Sequence, residues 1–181
     1  KPTNALKRII APNGEKILLH ASNFRKVKRV QDVVSVFYQV QKEIPSKLVF
    51  IGDGPERQHA ELYSKELGIF DKINFVGKQE QIEEIYAIGD LFLLTSEYES
   101  FGLAALEAMA SHVPVVSTNA GGLGEVIVDG VTGYLSDVGD IPSMSKQAIS
   151  ILNNAERLAK FKENAYLHAQ QFNMETIIPQ Y

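Results

Sequence analysis

From Lys16 onward the chain alternates short apolar runs with longer stretches of helical periodicity, and few folds satisfy that alternation. Repeated β-then-α segments build a mostly parallel sheet, because two parallel strands must be joined by a crossover, which is usually a helix packed on the sheet face. The pattern predicts strands at Lys16–Ala21, Lys47–Gly52, Ile73–Val76, Leu91–Leu94 and Val113–Ser117, with a weaker one at Gly133–Leu135. Between them it predicts helices at Val30–Glu43, Glu56–Leu67, Ile82–Ile88, Phe101–Ala110, Gly124–Val128 and Ile141–Asn154, then a last long one at Ala155–Phe172. Pro45 should stop the first of these helices, Gly52-Asp53-Gly54-Pro55 should turn the chain into the next, and Gly68 stands where a C-cap is wanted. The fold class is α/β, a Rossmann-like, doubly wound parallel sheet.

At 181 residues, 45% hydrophobic and 22% charged, the chain has the size and balance of one globular domain spanning residues 1–181. A net charge of -4 argues against a dominant attraction to nucleic acid or anionic membrane, so the expected partner is small. With no cysteine there is no disulfide, thiolate zinc site, iron–sulfur ligation or cysteine nucleophile, which suits a reducing, cytoplasmic location. No uncharged apolar run approaches the roughly 20 residues that span a bilayer. The chain opens Lys1-Pro2-Thr3, without a Met or a charged-then-apolar leader, and reads as a piece of a longer protein.

Ligands of open α/β sheets sit beyond the carboxyl ends of the strands, which directs attention to the loops near Ser22, Gly52, Gly77, Thr95 and Thr118. The most informative stretch runs from Ser96 to Ala108. Its helix is apolar on every side except for Glu107, and an ionised carboxylate on an interior helix is costly unless polar groups satisfy it. A ribose offers two vicinal hydroxyls as donors, and at about 1.5 Å per residue a nucleotide laid along the helix would put its phosphates at the helix start. There Gly102 permits close approach and the free N–H groups from Gly102 to Ala104 favour an anion. Glu99, just ahead, is placed to accept from sugar hydroxyls. The alternative is structural: Glu99 favours the helix end electrostatically and Glu107 pairs with a buried cation.

Ser22-Asn23-Phe24-Arg25-Lys26-Val27-Lys28-Arg29 places four cations directly after the first strand, either an electropositive mouth for a diphosphate or a solvated face. Gly121-Gly122 exposes amides to an anion or merely makes a tight turn, and Gly52-Asp53-Gly54-Pro55 lacks the spacing and ending of a P-loop and reads as architecture. His20, His59, His112 and His168 are scattered without metal-ligand spacing, so each reads as structural or exposed. No metal site, nucleophile or catalytic base is legible.

Taken together, these stretches resemble the C-terminal domain of the retaining glycosyltransferases of the GT-B group called family 4, over about Lys16 to Phe172. The resemblance rests on Glu99 and Glu107 in Glu-Ser-Phe-Gly-Leu-Ala-Ala-Leu-Glu-Ala, on Val113-Pro114-Val115-Val116, on Gly121-Gly122 with Glu125, and on Asp129-Gly130-Val131-Thr132-Gly133-Tyr134. It implies that Glu107 binds ribose, that Glu99 binds the donor sugar, that Phe101, Gly102, Leu103 and Ala104 hold sugar and diphosphate by their backbone, and that Lys28 binds phosphate. Lys78 and Gln79 would lie beside the base. Asn23 stands where the family has an arginine, so either Arg25 supplies that charge or the diphosphate has one partner fewer. Ser111-His112 replaces a common Cys-Gly pair and Gly124 a common proline.

Asn-Phe-Arg-x-Val-Lys-Arg, Val76-Gly77-Lys78-Gln79 and Glu99-Ser100-Phe101-Gly102-Leu103 look most like the branch that opens bacillithiol synthesis, which implies UDP-N-acetylglucosamine as donor and L-malate as acceptor. The resemblance also implies that no metal is required, that an N-terminal domain absent from this chain holds the acceptor, and that residues 174–181 begin a truncated crossover helix. A nucleotide-sugar 2-epimerase of the same fold and a non-catalytic nucleotide-sugar-binding module are the alternatives.

Overall fold

The structure, a computed structural model, describes residues 2–172; the expected crossover helix at 174–181 lies outside the described residues. Six strands, β1 (Lys16–Ala21), β2 (Ser46–Ile51), β3 (Ile73–Gly77), β4 (Leu91–Leu94), β5 (Val115–Thr118) and β6 (Gly133–Ser136), form one parallel sheet in the order β3-β2-β1-β4-β5-β6. The helices are α1 (Pro2–Ile10), α2 (Val30–Glu43), α3 (Arg57–Glu66), α4 (Ile82–Tyr86), α5 (Leu103–Ala110), α6 (Leu123–Val126), α7 (Ile141–Leu152) and α8 (Ala155–Ala169). The chain first winds outward from β1 to β3, then restarts beside β1 with β4 and winds the other way. That reversal opens a crevice at the carboxyl ends of β1 and β4.

Alternation along the strands divides the core in two. Ile17, Leu19, Val49, Phe92 and Val115 pack in one layer with Leu106 and Met109 of α5. Leu18, Leu48, Leu91 and Val116 pack in the other with α2 and α7, where Val30, Val33, Val34, Phe37 and Val40 bring the 3.6-residue stripe of α2 onto the sheet. Among the described residues, no helix is long and apolar enough to cross a membrane.

Several boundaries shift by one to three residues from expectation, two of them for clear local reasons. β5 starts at Val115 rather than Val113, since Pro114 has no N–H for the ladder, although its carbonyl accepts from Phe92 N–H at 2.9 Å. α5 starts at Leu103 rather than Phe101, because Gly102 is left-handed at φ 64. α1 was not anticipated, yet Leu6 and Ile10 stand one turn apart on one face and pack on the core.

Only two residue pairs, Leu18 with Leu91 and Leu19 with Phe92, join β1 to β4. Asp90 reinforces this short seam. Its Oδ2 accepts from Ile17 N–H at 2.9 Å, its Oδ1 accepts from Lys162 Nζ on α8 at 2.7 Å, and its own N–H donates to Ile17 O at 2.8 Å. The side chain is 8% exposed, so removing it strands a buried amide and a cation. Asp90→Ala should therefore cost about 1–3 kcal/mol of unfolding free energy, and Asp90→Asn, which can still accept from Ile17, should cost less. Urea midpoints measure both, and an unchanged midpoint in the alanine variant would show that the clasp holds nothing.

Candidate functional site

Loops 22–29 and 95–102 leave the carboxyl ends of β1 and β4 side by side at the crevice. They enclose a cleft of about 260 Å³, walled by Asn23, Arg25 and Lys28 from the first loop and by Tyr98, Glu99 and Ser100 from the second. Lys28 Nζ donates to Glu99 Oε1 at 2.6 Å, and Ser96 Oγ donates to the same oxygen at 2.8 Å. The backbone also crosses the gap: Glu97 N–H donates to Val27 O at 2.8 Å, and Thr95 Oγ1 reaches the carbonyls of Lys28 and Arg29 at 2.9 and 2.8 Å.

Two of the four cations of the expected electropositive mouth are paired by the protein itself. Arg29 Nε bonds Asp32 Oδ2 at 2.7 Å and its Nη1 bonds Glu97 Oε1 at 3.2 Å, which raises its pKa, chiefly through the bond to Asp32. Lys26 lines a different hollow beside Arg29, Glu56 and His59. That leaves Arg25, which forms no ion pair among the described residues, and Lys28, paired to Glu99, to face the cleft.

Beneath the first loop lies a group that sequence reasoning had treated as merely structural. His20 is fully buried against Phe24, Phe50 and Phe92. Its Nδ1 is 2.8 Å from Leu93 O, and a carbonyl can only accept, so Nδ1 carries the hydrogen. Nε2 is then bare and accepts from Ser22 Oγ at 2.9 Å, while that oxygen accepts from Phe24 N–H at 3.2 Å. The chain of bonds holds Phe24 at φ 48, a left-handed conformation that a phenylalanine seldom adopts. Burial pushes the imidazole pKa down to about 4, outweighing the Leu93 bond that raises it.

Gly121-Gly122 supports the Glu99 loop by close backbone packing. A Cβ on Gly121 would lie 2.0 Å from Glu99 O, and Gly122 N–H donates to that same oxygen at 2.7 Å. Gly52 has the corresponding place on the other wall, where a Cβ would lie 1.9 Å from Ser22 O, so the architectural reading of Gly52-Asp53-Gly54-Pro55 holds. Phe101 and Gly102 lead into α5, whose first helical bond runs from Leu106 N–H to Gly102 O at 3.0 Å. The N–H groups of Leu103, Ala104 and Ala105 precede that bond and have no partner within the helix.

Glu107, one turn further along α5, is half-buried and makes no hydrogen bond or ion pair among the described residues. The buried cation of the structural reading is not there. Burial, helped by the nearby charge of Glu83, raises its pKa. Tyr86, 1% exposed, is a neighbour that sequence reasoning missed: its hydroxyl has no hydrogen-bond partner among the described residues, and burial first, then Glu107 and Glu83, raise its pKa far above that of a phenol in water. Glu107 does not line the 260 Å³ cleft, nor do Lys78 and Gln79, which border a separate hollow of about 610 Å³ with Leu6 and Ile10 of α1. Gln79 Nε2 donates to Val76 O at 2.6 Å. Among the described residues no three histidine, aspartate or glutamate side chains gather as a metal site requires.

Residues 3–168 match the family described as Glycosyl transferases group 1. The chain is 49% identical over 169 residues to the N-acetyl-alpha-D-glucosaminyl L-malate synthase of Bacillus anthracis, covering 93% of this chain and 44% of that protein. In structure it is similar to TarM of S. aureus, solved with fondaparinux, alpha-GlcNAc-glycerol and UDP, at a TM-score of 0.84 and 26% identity over 91% of this chain and 34% of that one. It is also similar to the C-terminal domain of LpcC, a glycosyl transferase group 1 family protein from Francisella tularensis, at 0.77 and 27% over 87% of this chain and 85% of that one. The chain thus spans less than half the length of the B. anthracis relative, and the six-stranded parallel sheet is that of GT-B glycosyltransferases.

The neutral His20 sets a pH dependence. As pH falls, the unfolded chain takes up this proton near 6.5 while the folded chain resists until about 4. The stability contributed by neutral His20 is therefore complete above 6.5 and lost between 6.5 and 4. Between pH 7 and pH 5 the parent chain should lose on the order of 2 kcal/mol more unfolding free energy than a His20→Gln variant. Urea titrations at the two values test this, and equal losses would mean that His20 is charged in the fold.

Proposed function

The chain belongs to the group 1 glycosyl transferases, and on that premise we propose that it is the donor-holding half of an enzyme that moves a sugar from a nucleoside diphosphate to an acceptor. One observation carries the reading: Lys28 and Glu99 meet in a cleft at the reversal of strand order, beside the amino end of α5. In it Lys28 and Arg25 hold the diphosphate, with the free N–H groups of Leu103 and Ala104 and the backbone of Phe101 and Gly102 alongside. Glu99 accepts from the sugar hydroxyls, and Glu107 accepts from the ribose. The unpartnered carboxylate of Glu107 supports this assignment, since two hydroxyl donors would satisfy a half-buried charge that the protein leaves unsatisfied.

The nucleotide would run from the cleft along α5 towards Lys78 and Gln79, with the base at that loop and Asn23 at the diphosphate end. The name of the B. anthracis relative supports N-acetylglucosamine as the sugar and L-malate as the acceptor. UDP is the nucleotide in the TarM structure and is proposed for this chain too. When the glycosidic bond breaks, negative charge develops on the departing diphosphate; Lys28, Arg25 and the α5 amides are preorganised to stabilise it, with no metal in the scheme. The reaction retains anomeric configuration, takes place in the cytoplasm, and uses an acceptor held by an N-terminal half outside this chain.

Calorimetric titration separates the roles. Lys28→Ala should weaken UDP by about 1.5–3 kcal/mol and leave uridine nearly unchanged, because it removes a charge-assisted phosphate contact. Glu107→Gln should weaken UDP and uridine alike. A folded Glu107→Gln protein that binds both as tightly as the parent would remove the ribose assignment. The 181-residue chain alone should bind UDP yet transfer no sugar, and product assays with and without an added N-terminal half check this.

A further inference from the structure

The two side chains assigned to different parts of the donor are bound to each other. Lys28 Nζ and Glu99 Oε1 are 2.6 Å apart, with Lys28 19% and Glu99 12% exposed. Ser96 adds a hydroxyl to the same oxygen, and Oε2 makes no hydrogen bond among the described residues. We infer that this ion pair is a selectivity element, which makes the site prefer a nucleoside diphosphate carrying its sugar over the same nucleotide without it.

The inference rests on the reading of Lys28 as a phosphate ligand and Glu99 as a sugar ligand. A diphosphate that engages Lys28 must share or displace Glu99. The carboxylate is then a largely buried anion with Ser96 as its remaining partner, facing a second anion across the cleft. Both consequences oppose binding, since an uncompensated buried charge is costly and like charges at short range repel strongly where water is scarce. A sugar attached to the far phosphate changes the balance. Its hydroxyls donate to the Glu99 oxygens and restore the hydrogen bonding that Lys28 withdrew. A nucleotide without the sugar brings no such donors, so Glu99 continues to compete for Lys28 and the free nucleotide binds less well.

Arg25 does not relieve the conflict on its own. It lines the same cleft without a carboxylate partner, so it attracts the diphosphate whether or not a sugar is attached. Discrimination falls to the paired cation. The arrangement also favours departure of the spent nucleotide, because loss of the sugar leaves Glu99 with Lys28 as its best available partner.

The test is to titrate the 181-residue chain with UDP, UDP-N-acetylglucosamine and uridine, in the parent, Glu99→Gln, Lys28→Ala and double variants. Glu99→Gln keeps the shape and removes the charge. It should tighten UDP about tenfold, equivalent to about 1.4 kcal/mol, leave uridine unchanged, and lower the preference for UDP-N-acetylglucosamine over UDP. In the glutamine background Lys28→Ala should weaken UDP more than in the parent, since Lys28 is then free to serve the phosphate alone. If the glutamine variant does not fold, Glu99→Asp, which keeps the charge but shortens the reach to Lys28, should shift the preference the same way by a smaller factor. If Lys28→Ala weakens UDP but neither Glu99 variant tightens it, the selectivity role is wrong while the donor site stands. If Lys28→Ala leaves UDP affinity unchanged, the site reading fails and this inference fails with it.

Discussion

The carbonyl oxygen of Glu99 occupies the place where any residue other than glycine at position 121 would put a carbon. That close approach is the steric condition on which the cleft depends, because it lets the loop after β5 press directly on the backbone of the loop after β4. Gly122 N–H completes the support with a hydrogen bond to the same oxygen. On the opposite wall Gly52 does the corresponding work against Ser22. Since backbone holds the walls in place, the side chains of Asn23, Arg25, Lys28 and Glu99 are left to face a ligand.

Charge in the site follows a single logic. In an acidic chain, two of the four cations of the first loop are matched to carboxylates, Arg29 to Asp32 and Glu97, Lys28 to Glu99. Glu107 has no such match and lies near Glu83 rather than near a cation. His20 completes the scheme by staying neutral: an imidazolium beneath Lys28 would add a buried positive charge and leave Ser22 without its acceptor. The site is thus balanced around Lys28 and unbalanced at Glu107, the two positions where a nucleotide would bring opposite partners, an anion to the first and hydroxyl donors to the second.

The α/β pattern was readable because strand and helix periods leave marks within a few residues of each other. The boundaries of β4 and α2 emerge as expected. Glu99 and Glu107 stood out because one precedes, and the other interrupts, an otherwise apolar helix. What stayed hidden depends on partners far away in the chain. Lys28 read as part of a basic run because Glu99 is 71 positions distant, and His20 read as structural or exposed because Leu93 is 73 positions distant. The role of Gly121-Gly122 stayed open for the same reason: two glycines in a turn look alike whether they meet an anion or a carbonyl. α1 was overlooked although Leu6 and Ile10, four residues apart, share the face that packs on the core.

The Asp90 clasp lies at the amino end of β4, while the cleft opens at the carboxyl end. The seam between the two halves of the sheet is thereby secured at one end by groups that take no part in lining the cleft at the other. Drift at Asn23, Arg25, Tyr98 and Ser100 can alter what the cleft accepts without loosening β1 from β4, whereas Thr95 bonds across the gap and belongs to the seam as well as to the rim. For a protein engineer this marks where to graft: exchanges between related chains should keep Asp90 and Lys162 together as a fixed chassis, retain Thr95, and treat the cleft-lining side chains of the opposite rim as replaceable.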